Sequence, residues 1–173
     1  FTKVNTKSEG LKISSDYIRV MLGDTKGNLW VGAADGLSIL RKGKNRFERF
    51  YKGKDGLQSD YINCILEDNQ HQIWIGSHRG GLAKYLPKQN KFVTYNTKNG
   101  LPSNNIAAMA QDDEGYLWIS TDRGLSKFDV KRGNFKNYYV SDGLPSNEFS
   151  YNAAYKAPNG TLYFGSYNGL VAF

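Results

Sequence analysis

The sequence has few of the residues that cross-link chains, bind metals or span membranes. It contains one cysteine and two histidines in 173 residues. A lone Cys64 can form no internal disulfide and no cysteine-based metal site. It sits in an apolar strand pattern, where a buried, inert thiol is expected. His71 and His78 stand seven positions apart, at opposite ends of one strand. Metal ligands must converge, so these two are not expected to share an ion, and no metal or cofactor is expected. No apolar run approaches the ~20 residues of a membrane-spanning helix. There is no signal peptide and no initiator methionine. The chain opens at Phe1, midway through a pattern, and is expected to be a piece of something longer. No serine–histidine–acid grouping stands out, and the Gly80-Gly81 doublet precedes no helix that could cradle phosphate. Catalytic residues are therefore expected to be absent. Basic residues exceed acidic ones, 23 against 16, for a net charge of +7. No run of five basic residues occurs. That spread favours solubility and an anionic ligand over nucleic acid, which needs a clustered basic stripe.

What the chain does have is repetition. Asp24 to Leu37 reads DTKGNLWVGAADGL, Asp68 to Leu82 reads DNQHQIWIGSHRGGL, and Asp112 to Leu125 reads DDEGYLWISTDRGL. A worn copy, KAPNGTLYFGSYNGL, runs from Lys156 to Leu170. Trp30, Trp74 and Trp118 are 44 residues apart, and Tyr163 follows 45 later. A second Gly-Leu recurs at Gly10, Gly56, Gly100 and Gly143. An aromatic-x-x-apolar pair precedes each: Phe1/Val4, Phe47/Phe50, Phe92/Tyr95 and Phe135/Tyr138. A period near forty residues signals a solenoid, propeller or array.

Each repeat predicts four short strands. The first strands are Ile18–Leu22, Ile62–Leu66, Ile106–Ala110 and Phe149–Ala154. The tryptophan strands are Leu29–Ala33, Ile73–Ser77, Leu117–Thr121 and Leu162–Ser166. The third strands are Leu37–Arg41, Leu82–Leu86, Leu125–Asp129 and Leu170–Phe173. The fourth are Arg46–Tyr51, Lys91–Asn96, Asn134–Tyr139 and, at the start of the chain, Phe1–Asn5. β-Branched and aromatic residues bounded by Gly, Asn, Asp and Pro make strands. No segment keeps a 3.6-residue period, so essentially no helix is expected.

Asp24, Asp68 and Asp112 open tight turns, where a short carboxylate accepts backbone N–H groups two residues on. Gly27 and Gly115 meet the turn's need for positive φ, and His71 takes that place in the second repeat. In the fourth, Lys156 replaces the aspartate and Pro158-Asn159-Gly160 rebuilds the turn with one extra residue. The tryptophan strand is apolar on both faces, because Leu29 and Val31 point one way and Trp30 and Gly32 the other. A sheet covered on both sides needs this. Gly32, Gly76 and Gly165, with Ser120 in the third copy, leave room beside each large ring. Four-stranded sheets buried on both faces and repeated radially make a β-propeller.

The expected fold is therefore all-β: a β-propeller of four repeats of four antiparallel strands, forming four blades or part of a larger ring. The repeats span approximately 11–51, 57–96, 101–139 and 144–173. Residues 1–5 are expected to supply the fourth strand of the blade ending at Phe173. That pairing could close a ring within one chain, or between two chains as a homodimer.

The repeated D-x-x-G-x-[LI]-W-[IV]-G-[ST]-x-x-G-L pattern, with linkers GLPSNNI and GLPSNEF, resembles the two-component regulator propeller repeat. The departures are Ser120 for Gly, Ala33 for Ser/Thr and the extra Gly80. The resemblance implies the extracytoplasmic, periplasmic sensor part of a hybrid two-component histidine kinase of the Bacteroidetes type. It implies oligosaccharide signals from glycan breakdown, larger rings than four blades, and kinase chemistry elsewhere in the parent chain. It carries over no catalytic residue.

Recurring groups are architectural: the aspartates make turns and the tryptophans fill interfaces. What varies from repeat to repeat lies in the loops between strands two and three and between blades, which share one propeller face. They carry Asp60, Tyr61, His78, Arg79, Asn104, Asn105, Asp122, Arg123, Asn147, Glu148, Tyr167 and Asn168. Tyr61, His78, Arg79, Asn105, Arg123 and Tyr167 are the expected ligand-binding residues. Their Tyr and Asn suit sugar hydroxyls, and Arg suits a uronate or sulfate. The expected function is non-catalytic sensing of an oligosaccharide. A protein-interaction scaffold is one alternative. A polysaccharide-processing propeller enzyme is another, and would need acids or arginines clustered at the ring centre.

Overall fold

A computed structural model describes residues 2–9, 11–53 and 55–173. The described chain is a meander of short antiparallel strands in four sheets set side by side. The first blade is β1 (Ile18–Gly23), β2 (Leu29–Ala33), β3 (Gly36–Leu40) and β4 (Phe47–Phe50). The second is β5 (Ile62–Glu67), β6 (Ile73–Ser77), β7 (Gly81–Leu86) and β8 (Lys91–Tyr95). The third is β9 (Ile106–Gln111), β10 (Leu117–Thr121), β11 (Gly124–Asp129) and β12 (Asn134–Tyr138). The fourth has three strands: β13 (Phe149–Lys156), β14 (Leu162–Ser166) and β15 (Gly169–Ala172). The propeller architecture read from the repeats is the one found. The only helical segments among the described residues are single 3-10 turns, Thr97–Asn99 and Val140–Asp142, in the linkers to the third and fourth blades. Local capping makes them: Asn96 Oδ1 accepts from Lys98 N, and Asn99 Oδ1 from Asn96 N (both 2.9 Å).

Alternation along each tryptophan strand gives every blade two apolar faces. Trp30, Leu37, Ile39 and Phe50 of the first blade pack on Ile62, Ile73, Ile75, Tyr85 and Phe92 of the second. Trp74 and Leu82 meet Ile106, Leu117, Ile119 and Phe128 of the third. Leu125 and Trp118 meet Phe149, Leu162 and Phe164 of the fourth. The glycine two residues beyond the indole lets the blades approach. A Cβ on Gly32 would lie 2.6 Å from Ile62 Cγ2 and 2.7 Å from Val20 Cγ1. One on Gly76 would collide with Cys64 Sγ and lie 2.6 Å from Ile106 Cγ2. Ser120 is tolerated because its cross-strand partner is Ala108, where the other blades place Val20 and Cys64. Its hydroxyl also bonds that alanine's backbone, accepting from N–H (3.1 Å) and donating to the carbonyl (3.3 Å). Cys64 is buried as expected, and burial pushes its thiol up to about 12.

Each repeated aspartate does more than shape its turn. Oδ1 accepts the backbone N–H of Asn28, Gln72 or Tyr116 (2.7, 2.9 and 2.9 Å). Oδ2 accepts the indole N–H of Trp30, Trp74 or Trp118, each at 2.8 Å. The fourth repeat lacks both partners of that bond, so its lost aspartate and lost tryptophan are one change. The turn itself corrects the sequence reading. Ala157, not Lys156, holds the aspartate's position, since Ala157 N donates to Thr161 O (2.8 Å) as Asp24 N does to Asn28 O (2.9 Å). The turn has no extra residue. The insertion lies in β13, whose register shifts between Phe149 and Ala154, with Asn152 at φ 55°. His71 does take the turn's left-handed position, at φ 60°.

Burial pushes the Asp24 carboxyl up, but hydrogen bonds from Trp30, Asn28 and the Lys26 backbone outweigh it and hold the group below its ordinary value of 3.8. A depressed folded-state pKa contributes stability above the unfolded value that disappears as pH falls through the folded one. Asp24→Asn is therefore expected to be less stable than wild type near neutrality. The difference in urea midpoint is expected to shrink as pH drops below about 4. A difference independent of pH would contradict the depressed carboxyl.

A second bond, from turn to neighbouring blade, differs at every interface. Thr25 N donates to Glu67 Oε2 (2.8 Å), and the Thr25 hydroxyl to Oε1. Asn69 N donates to Gln111 Oε1 (2.7 Å), and Gln111 Nε2 to Asn69 Oδ1 (3.3 Å). Lys156 Nζ pairs with Asp113 Oδ1 at 2.6 Å. The corresponding end positions are Gly23 on the first blade and Pro158 on the last.

The expected N-terminal strand is not formed. Phe1 lies outside the described residues, as does the Gly10 of the first Gly-Leu pair. Thr2–Val4 are not in a strand, and Asn5 bridges Lys12. Val4 packs instead with Leu11 beside Ile13, Val31 and Phe47, on the free face of the first blade. That apolar face outcompetes the solvent-facing edge of β15 for the segment. The fourth blade's outward face is consequently open. Leu170 is 63% exposed, whereas its counterparts Leu37, Leu82 and Leu125 are at most 1% exposed under the next blade.

Candidate functional site

The varied loops gather on one face because hydroxyls at the strand ends close the turns the same way. Ser77 Oγ donates to Gly81 O (3.2 Å), Thr121 Oγ1 to Gly124 O (2.9 Å) and Ser166 Oγ to Gly169 O (2.8 Å). In the second blade Arg79 adopts φ 58°, and Gly80 is needed because a Cβ there would strike the Ser77 hydroxyl and lie 2.6 Å from Ser59 Cβ. The extra glycine therefore has a steric cause. The linker is tied to these turns by Gly81 N donating to Asn104 O (2.8 Å) and His78 N to Tyr61 O (2.9 Å).

Between the second and third blades this leaves a cleft of about 330 Å³. His78 and Arg79 line one wall, Asp122 and Arg123 the other, and Ser103 to Asn105 the floor. The structure thus brings four of the six expected residues together: His78, Arg79, Asn105 and Arg123. Tyr61 stands beside them, its ring 5.5 Å from that of His78. Tyr167 does not join; it lies on the fourth blade's turn, 69% exposed. Asp60, Asn104 and Asn147 are occupied structurally. Their side-chain oxygens accept the backbone N–H groups of Lys52, Thr97 and Val140, which shapes each linker.

Two clefts on the opposite rim are comparable in volume, about 380 and 280 Å³, and several of their polar groups pair with one another. In the first, Arg41 is held by Glu48 (3.1 Å) and Tyr85. In the second, Asn69 and Gln111 bond one another. Arg79 and Arg123 have no carboxylate partner among the described residues. No group of three or more His, Cys, Asp and Glu among the described residues is arranged to hold a metal.

Two residues on the first strands of their blades, Arg19 on β1 and Tyr151 on β13, were not singled out from the sequence. Arg19 Nη1 donates to Tyr61 OH (2.8 Å), and its guanidinium lies 4.5 Å from the Tyr61 ring centre and 5.7 Å from that of Tyr151. Asn105 Nδ2 donates to Tyr151 OH (3.1 Å) and to Asp122 Oδ2 (3.3 Å), joining this cluster to the cleft. The available signal for Arg19 was a charged residue one position into an otherwise apolar strand; Tyr151 gave none.

The family described as two component regulator propeller matches residues 56–79 and 100–123. No curated protein matches the chain. Among solved structures, it is similar to the extracellular domain of BT4673 from B. thetaiotaomicron, assigned to a one component or hybrid two component system. Identity is 25% and the TM-score 0.78, over 91% of this chain and 23% of that one, so the chain spans about a quarter of that domain. Virginiamycin B lyase from Staphylococcus aureus shares the fold at 11% identity and TM-score 0.65, over 91% of this chain and 55% of the lyase. PorZ of Porphyromonas gingivalis shares it at 16% and 0.66, over 92% and 26%. Among the described residues, no helix is long and apolar enough to cross a membrane. Fold and repeat pattern agree: the chain is a β-propeller, and two of its repeat segments, residues 56–79 and 100–123, are similar to the two component regulator propeller.

Proposed function

We propose that this chain is the ligand-sensing part of a periplasmic two-component sensor, and that it holds a glycan-derived oligosaccharide in the cleft between the second and third blades. The observation that carries this is the pair of arginines without carboxylate partners, Arg79 and Arg123, facing one cleft with His78 and Asn105. Arginine forks and amides match sugar hydroxyls and acidic substituents, and sites of this kind are concave with a few convergent polar groups. A glycan-cleaving reading is less well supported. It needs two carboxylates flanking the bond, and Asp122 is the cleft's one acid, held by Asn105.

Calorimetry against neutral and acidic oligosaccharides tests the reading. Binding heat is expected, and Arg79→Ala and Arg123→Ala are each expected to weaken it by about tenfold, the worth of a charge-assisted hydrogen bond. Unchanged affinity in both variants would exclude the cleft. Absence of heat across the panel would favour the scaffold, and release of reducing sugar the enzyme.

A further inference from the structure

We infer that the axial cluster of Arg19, Tyr61, Asn105 and Tyr151 is an oxyanion subsite, which takes the carboxylate of an acidic sugar. The inference rests on the sensing reading but concerns residues outside the two cleft arginines. Arg19 is a partly buried guanidinium clamped against the Tyr61 ring, with one hydrogen bond, to Tyr61 OH. No carboxylate among the described residues pairs with it. Its Nε is sealed from solvent without a partner, and so is Asn105 Oδ1. Sealing part of a guanidinium from water with neither counter-charge nor full hydrogen bonding is unfavourable unless something supplies them. Tyr151 touches both groups and is itself 40% exposed, so it is the side chain able to move aside.

The unused groups define the ligand. An arginine edge presents two parallel donors, which a carboxylate or sulfate accepts in a fork. A free acceptor nearby, Asn105 Oδ1, asks for a hydroxyl donor. A uronic acid carries a carboxylate and hydroxyls on one small ring. Tyr61 and Tyr151 add flat surfaces at the axis. A neutral sugar would leave the guanidinium without its counter-charge.

Titration of the chain with sodium glucuronate, inorganic sulfate and glucose tests this. Glucuronate is expected to bind, and glucose about tenfold or more weaker. Arg19→Gln is expected to weaken glucuronate by about tenfold or more and leave glucose unchanged. Arg19→Lys keeps the charge without the fork. It is expected to fall between, and decides the matter if the glutamine variant does not fold. Sulfate binding tighter than glucuronate would overturn the sugar and leave a free-anion site. Equal glucuronate affinity in wild type and Arg19→Gln, or no anion binding at all, overturns the subsite. The two readings separate cleanly. Oligosaccharide binding that depends on Arg79 and Arg123 but not Arg19 keeps the cleft and removes the subsite. Glucuronate binding lost in Arg19→Gln, with no oligosaccharide affinity, does the reverse.

Discussion

Trp74→Ala is expected to lower the unfolding free energy by about 3–5 kcal/mol, the usual loss for a buried large aromatic. The ring is fully buried between the second and third blades, and Phe128 meets its face edge-on at 5.6 Å. Alanine would leave a cavity that the rigid strands on either side cannot collapse to fill. It would also remove the indole N–H from Asp68, leaving a buried carboxylate with one donor fewer. Trp118 makes the same bond to Asp112 but is only partly buried, covered by Tyr138 and Phe173 rather than by a complete next blade. Trp118→Ala is expected to cost clearly less. Urea unfolding of both variants reads the difference, and equal losses would contradict inter-blade burial as the source of stability.

Gly76→Ser is expected to destabilise by about 1–3 kcal/mol through overpacking. The new Cβ would meet Cys64 Sγ and Ile106 Cγ2. The third blade shows how the clash is relieved, since Ser120 faces Ala108. Adding Cys64→Ala to Gly76→Ser is therefore expected to recover a measurable part of the loss, although Cys64→Ala alone destabilises. The non-additivity in a double-mutant cycle reports the contact directly. Additive effects would show that the glycine is required for another reason.

The fold was legible because its signals are local and repeated. Alternation placed the strands to within a residue or two, and two-sided apolarity in strands such as Leu29–Ala33 required stacking. The turn glycines and His71 followed from backbone sterics. What stayed hidden depends on partners distant in sequence. The indole–carboxylate bond joins two features that had been read separately. The shifted insertion at Asn152 shows only in hydrogen-bond register. The placement of Thr2–Asn5 is a competition between two surfaces, which a strand pattern cannot rank. Of the site, the loop residues of the second and third blades were readable from their variation. Tyr167 looked equivalent but belongs to a blade without a following neighbour. Arg19 and Tyr151 escaped because the groups they bond, Tyr61 and Asn105, lie 42 and 46 residues away in sequence.

The turn-to-blade bonds have an implication for how such an array keeps its order. Hydroxyl with carboxylate, amide with amide, and carboxylate with ammonium are three different locks. Otherwise near-identical modules could trade places or skip a neighbour during folding, as repeat arrays are prone to do. Excising the second module would set Thr25 against Gln111, and exchanging the last two would confront Asn69 with Lys156. The rim thus gives each joint a pairing of its own, while the cores beneath remain nearly interchangeable.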